Sequence, residues 1–169
     1  MTAVGQVKRA VAAAIKAAGC AAIESYSEEQ LKRCATAVAA VGTKETVIEE
    51  SGAAQYLGEK VDEATQETVS AYGRKMLLTL LIEVYAPRTL GAAGCEKAAE
   101  TITQAMMTAL PEGLKLGSLQ WGKTGWDKTT GMFRLDASAK YAAYFVAEAA
   151  EDETVFTDFV LKGTVKERE

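Results

Sequence analysis

Few residues of this chain are of the types that carry out acid–base, nucleophilic or metal chemistry. Its 169 residues include no histidine, so the usual general base and the middle member of a nucleophilic triad are missing. The three cysteines, Cys20, Cys34 and Cys95, lie far apart without a C-x-x-C pair, unlike the ligands of a zinc site. We therefore expect buried, apolar cysteines, no catalytic residue, no enzymatic activity, and no bound metal or cofactor. Carboxylate or lysine chemistry stays open in principle, although the acidic residues follow polar faces or bunch in turns.

One glycine-spaced turn invites comparison with a phosphate-binding loop. It lies in "YAPRTLGAAGCEKAAETI", where Gly91 and Gly94 are followed by Cys95 and Glu96. A Walker loop needs Lys and Ser or Thr directly after its second glycine, and a dinucleotide loop needs three glycines in G-x-G-x-x-G. An acidic side chain at a helix start would also repel a bound phosphate. The turn is therefore interpreted as a corner between a strand and a helix.

Four larger side chains are the only group that could line a small-ligand pocket: Tyr85, Arg88, Trp121 and Trp126. Such a pocket would need convergent polar groups. The alternative interpretation, which the sequence favours, is that these residues anchor turns and line an interface.

The composition and charge limit the class of protein in which these residues can lie. With 25% charged and 49% hydrophobic residues, the chain fits one soluble globular domain, residues 1–169, with a sizeable core. A net charge of −4 argues against a nucleic-acid surface. No apolar run reaches eighteen residues, and no signal-peptide pattern opens the chain, so we expect a protein made in the cytoplasm without membrane contact.

The spacing of apolar residues predicts two helices and several strands. Steps of three and four predict helices over 3–18 and from Cys95 to Leu110. Extended structure is predicted from Leu31 to Val41 and onward, from Thr68 to Ala86, and over 114–122, 131–147 and 155–165. The clearest alternation, over 131–147, predicts that the core contains Phe133, Leu135, Tyr141 and Phe145. The fold class predicted is α+β: a largely antiparallel or mixed sheet with two α-helices packed on one face.

A long segment between the first two predicted strands carries apolar residues with few turn signals. Residues 51–66 are interpreted as a long hairpin tip or mobile loop, and 42–67 as an extended β-hairpin arm. A hairpin of this length is not stable alone in water, so the arm is predicted to pack on a neighbouring molecule. A plain surface loop is the alternative. The candidate interface comprises Val47, Ile48, Tyr56, Leu57, Val61, Arg88, Trp121 and Trp126.

Three stretches carry a family resemblance: "IEVYAPRTLGAAGCEKAAETI", "WGKTGWDKTTGMFRLDASAKYAAYF" and "FTDFVLKGTV". With the order of the predicted elements, they resemble tail-terminator (tail-completion) proteins of tailed phages and prophages. That resemblance implies a structural subunit without catalytic residues that forms a ring, usually a hexamer. It further implies a place at the head-tail junction of the virion, with the tail-tube protein and the head-completion or connector protein as partners. A tail-tube or other head-tail joining subunit, and a small-ligand-binding α+β module, remain as alternatives.

Overall fold

The computed structural model describes residues 3–50, 56–61, 66, 68–111 and 113–147. Within these ranges the chain forms three helices and seven strands, which lie in one sheet. The elements are α1 (Ala3–Ala17), β1 (Ala21–Ile23), α2 (Glu28–Lys32), β2 (Val38–Glu49), β3 (Tyr56–Val61), β4 (Thr68–Ala86), α3 (Gly91–Thr108), β5 (Lys115–Trp121), β6 (Gly125–Asp127) and β7 (Met132–Ala147). The sheet is mixed because β1 runs parallel to β2 while the other pairs are antiparallel. The predicted α+β class is confirmed.

Strand β4 lies at the centre of the sheet. It also forms one side of a long hairpin, whose other side consists of β2 and β3. The strand order is β1-β2-β4-β7-β5, with β3 on β4 and β6 on β7. Tyr72 pairs with Tyr56 on one side and with Ala147 on the other, so β3 must lie on the same side of β4 as β2. Strands β2 and β3 therefore follow one another along the same edge of β4. The 19 residues of β4 make this hairpin about 60 Å long.

The structure corrects the hairpin's predicted tip. Residues 51–66 were expected to be a tip or mobile loop, yet Tyr56–Val61 form β3, and Val61 pairs with Thr68. The remainder of the predicted tip, residues 51–55 and 62–65, lies outside the described residues. The strand predicted from Thr68 to Ala86 is confirmed at both ends.

Helices α1 and α3 pack on one face of the sheet, as predicted, and enclose the main core. Its strand residues point to this face from β2, β4 and β7, and include Val41, Leu80, Ile82 and Ala139. The helices contribute Val11, Ile15, Ile102 and Met106, among others. Strict alternation along β4 places its even-numbered residues from Leu78 to Ala86 in this core.

The opposite face carries a smaller core under α2, which the sequence analysis missed. Residues from Leu31 onward were predicted to be extended, but Leu31 belongs to α2 and strand β2 begins only at Val38. Ser27 and Gln30 form a capping box at the start of α2. This second cluster consists of Leu31, Val38, Ala40, Tyr85 and Met132.

The alternation predicted for the strand over 131–147 is confirmed where the side chains are described. Leu135 and Tyr141 are buried on the helix face and Phe133 packs against the core from its rim. Tyr141 also places its hydroxyl 2.9 Å from the sulfur of Met106. The side chain of Phe145 and the predicted strand over 155–165 lie outside the described residues. No helix in the described ranges is long and apolar enough to cross a membrane.

Candidate interaction surface

The glycine-spaced turn is a corner between β4 and α3. After Pro87 the chain turns once, with the Leu90 N–H donating to the Pro87 carbonyl at 3.0 Å. Gly91 has φ 64°, a left-handed conformation that glycine adopts without strain. A Cβ atom on Gly94 would lie 2.7 Å from Leu90 Cβ and 3.2 Å from Ala86 Cβ. Gly94 therefore allows the first turn of α3 to pack against the end of β4.

The cysteines that are most enclosed have the environment of core residues. Cys20 and Cys95 are buried, which confirms the expectation for these two, whereas Cys34 is partly exposed. The Cys95 thiol donates to the Phe133 carbonyl at 3.4 Å, and burial raises its pKa to about 11. Burial also raises the pKa of Cys20. Both thiols are thus protonated near neutral pH and are poor nucleophiles. In the described part of the chain, no group of three or more Cys, Asp or Glu side chains could hold a metal ion.

Trp121 lies at the edge of the sheet against the outer side of α3. Its Nε1 donates to Thr103 Oγ1 at 3.0 Å, and that hydroxyl donates to the Ala99 carbonyl at 2.7 Å. Two shallow grooves flank the indole, with volumes of about 490 and 470 Å³. The larger is lined by apolar surface that includes the exposed Met107. Trp121 is therefore held in one orientation at a partly open, largely apolar site.

The four residues considered for a ligand pocket do not come together. Trp121 and Trp126 pair with Ala137 and Phe133, on the helix face of the sheet. Trp126 stacks edge-on against Phe133, with 5.1 Å between ring centroids. Tyr85 belongs to the second core on the opposite face. Arg88 is exposed in the turn after β4. The sheet thus separates Tyr85 from both indoles.

Tyr85 instead borders an ionic cluster that the sequence analysis did not identify. Arg134 donates to Glu83 and, through Nε at 2.7 Å and Nη2 at 3.0 Å, to Asp136. Its guanidinium carbon lies 5.9 Å from the centroid of the Tyr85 ring. Burial, with the nearby Glu83 charge, raises the pKa of Tyr85 to about 12. The alternation that places Arg134 and Asp136 on the polar side of β7 is visible in the sequence. The position of Glu83 opposite Asp136 is not, because it depends on the register between β4 and β7. The cluster joins β4 to β7.

The hairpin beyond the main core exposes apolar side chains on both faces. Val47, Ile48, Tyr56 and Val61 are 41, 54, 44 and 54% exposed. Tyr56 stacks edge-on with Tyr72, with 5.7 Å between ring centroids. The side chain of Leu57 lies outside the described residues. Four of the eight candidate interface residues thus share one exposed region of the hairpin, which we call the arm: β2 from Glu45 onward, β3, and the part of β4 paired with them.

An exposed aromatic residue from a different strand adds to the arm. Tyr144 of β7 is among the exposed large hydrophobic side chains and pairs with Lys75 of β4. The alternation along β7 could have identified it, since even-numbered residues of this strand point away from the helices. Among the described residues the arm therefore receives apolar surface from β2, β3 and β7.

Comparisons with known proteins include a distant structural likeness. No protein-family model matches the chain, and no curated protein matches it. Among solved structures, the chain is similar to a chain of the virion of native gene transfer agent (GTA) particle, with 17% sequence identity and a TM-score of 0.43. The match covers 86% of this chain and 100% of the other. A likeness this distant carries neither a fold nor a function over to this chain.

Proposed function

We propose that this chain is a structural virion protein of a tailed phage or prophage. More narrowly, it is a tail terminator that forms a ring, caps the tail tube and joins it to the head connector. The observation that carries the proposal is the arm, a continuation of the sheet that bears exposed apolar side chains beyond the helix-covered core. The order of elements, a helix followed by a long hairpin, a second helix and closing strands, supports it as well.

The exposed side chains of the arm need a partner surface. Val47 and Ile48 are exposed on opposite faces of β2, and Val61 is exposed further along the same edge of β4, so the exposure of apolar side chains extends along the length of the arm. Exposed apolar surface of this extent can mark an interaction site. A neighbouring copy can cover it in a head-to-tail contact that closes into a ring by rotation. The tail-tube protein and the head connector would then bind the two ends of that ring.

The proposal includes the absence of enzymatic activity. The buried thiols are protonated, and the partly exposed Arg134 already donates to two carboxylates. These groups hold the fold together and leave no free nucleophile or base among them. Elemental analysis and nucleotide-binding assays on purified protein check this part. Stoichiometric zinc or micromolar nucleotide binding would contradict it.

Disruption of the gene in a strain that produces particles tests the role. Loss of a tail terminator leaves tail growth unchecked, so electron microscopy should show overlong tails without heads. Complementation with the wild-type gene should restore normal particles. A complete lack of tails would instead assign the chain to the tail tube. Normal particles from the disrupted strain would contradict any virion role.

A further inference from the structure

Among the residues that the structure describes, two strand edges of the sheet have no partner along most of their length. Strand β1 pairs with β2 only over Val38–Ala40, so from Val41 to Glu49 the described strands pair with β2 only on its β4 side. At the other end of the sheet, β5 has β7 on one side and no described strand on the other. Thr43–Glu49 are exposed throughout. Open edges present unpaired backbone groups, which are ready to pair with another chain.

We infer that these two edges pair with each other between copies of this chain. The β2 edge of one copy adds antiparallel to the β5 edge of the next, so that one sheet continues from subunit to subunit. This inference rests on the proposed ring and names the strands that build it.

Strand directions are consistent with this pairing. The steps from β2 to β4, from β4 to β7 and from β7 to β5 are all antiparallel, so three reversals make β5 run opposite to β2. Copies related by rotation about an axis alongside the strands keep their strand directions. When β5 of one copy meets β2 of the next, the pair is therefore antiparallel, the more stable arrangement per residue.

The register across the sheet predicts which residues meet. One row runs through Val47, Leu77, Ala142 and Lys115, and another through Val41, Ile82, Ala137 and Trp121. If successive copies are related without a shift along the strands, each row continues into the neighbour. Lys115 of one copy then lies opposite Val47 of the next, and Trp121 lies opposite Val41.

Charge complementarity supports this register. Glu45 and Glu49 flank Val47 at two-residue spacing, and their partners Thr79 and Lys75 lie on the same side of β4 as Leu77. Both carboxylates are thus on the face to which Lys115 points, at the diagonal separations that long side chains span. Glu49 already contacts Lys75 at 3.7 Å. Lys115 of the neighbour would place a positive charge between two negative ones.

A designed disulfide between the two edges tests the pairing. The protein is Val47→Cys with Lys115→Cys in a full chain that also carries Cys34→Ala, since Cys20 and Cys95 are buried. Residues directly opposite in an antiparallel pair have Cα atoms about 4.5–5.5 Å apart, within the range of a disulfide. Oxidation should give a ladder of covalent oligomers on a non-reducing gel. Each single-cysteine variant should stop at a dimer.

The matched control is Thr46→Cys with Lys115→Cys in the same background. Thr46 points to the other face of the sheet from Val47, so this pair should give no ladder. Sedimentation of the unmodified protein up to its highest soluble concentration accompanies both tests. Self-association together with the specific ladder supports the inference. Self-association without a ladder, or with an equal ladder from the control, overturns the edge pairing and leaves the ring. A monomer without a ladder overturns both.

Discussion

The base of the sheet and the arm share strands but differ in what covers them. At the base, α1 and α3 cover the centre of one face, and Leu80, Ile82 and Val84 have no exposed surface. Along the arm the same hairpin keeps comparable apolar residues such as Ile48 and Val61 about half exposed. The difference shows that strand pairing alone does not decide whether an apolar residue contributes to stability. We propose that the base serves folding and the arm serves association.

Truncating one isoleucine in each region should separate the two roles most clearly. Ile82→Ala removes a fully buried side chain and should lower the free energy of unfolding by about 2 to 5 kcal/mol. Ile48→Ala removes one that is 54% exposed and should change it by about 0.5 kcal/mol or less. Chemical denaturation of both variants gives the comparison. Equal losses would show that the arm belongs to the folding core.

A smaller loss of stability is expected from a substitution at the corner between β4 and α3, where the base packs most tightly. Gly94→Ala introduces a Cβ atom 2.7 Å from Leu90 Cβ and 3.2 Å from Ala86 Cβ, so the first turn of α3 must shift away from Leu90 and from the end of β4. We expect a cost of about 1 to 3 kcal/mol. Gly125→Ala is the control, since a Cβ there has no neighbour within 4 Å. A neutral Gly94→Ala protein would mean that the corner tolerates the shift.

The ionic cluster at the base should matter more than an ion pair on the arm. Arg134→Gln leaves Glu83 and Asp136 directly opposite each other, and like charges in that position are destabilising. Because these side chains are partly exposed, we expect a loss of only about 1 kcal/mol. Lys75→Gln removes the arm pair with Glu49 and should cost less. Added salt should reduce the difference between the variants; a loss insensitive to salt would contradict an ionic origin.

Alkaline pH should weaken the base through Tyr85. Burial, with Glu83, raises its pKa to about 12 in the folded protein, above the ordinary value near 10. Its contribution is therefore complete below about pH 10 and is lost as pH rises through 12. When the free energy of unfolding is measured by denaturation at increasing pH, the Tyr85→Phe protein should lose less of it over this range. The rest of the decline should persist in this variant, because burial also raises the pKa of Tyr141. Identical pH profiles would contradict the contribution of Tyr85.

The sequence predicted the elements in which the pattern of apolar residues repeats over many residues and one face is well covered. Strand β4 carries apolar residues on both faces from Met76 to Tyr85, as a central strand does, and α3 repeats apolar residues at three- and four-residue steps. Shorter elements lack such a signal. Helix α2 has five residues with Leu31 as its buried one, so only the capping box of Ser27 and Gln30 could have revealed it.

The candidate site depended on register, which the sequence pattern does not contain. Spacing placed Tyr85, Trp121 and Trp126 near strand ends, but pairing partners decide on which face each side chain lies. The apolar residues and few turn signals of this segment predicted an extended arm with apolar surface. The exposure of Val47 and Ile48 agrees with that prediction. Tyr144 was missed because it lies on the face of β7 away from α1 and α3, and whether other residues cover that face depends on contacts that are distant in sequence.

The most direct test of the arm's role is the assembly of particles by a protein that lacks residues 50–62. The deletion removes the outer part of the arm and leaves the residues of the main core in place. Circular dichroism should show a folded protein, and electron microscopy of a strain complemented with it should show overlong tails without heads. Wild-type protein in the same strain should give normal particles. Normal tail length and joined heads from a folded deletion protein would contradict the central claim.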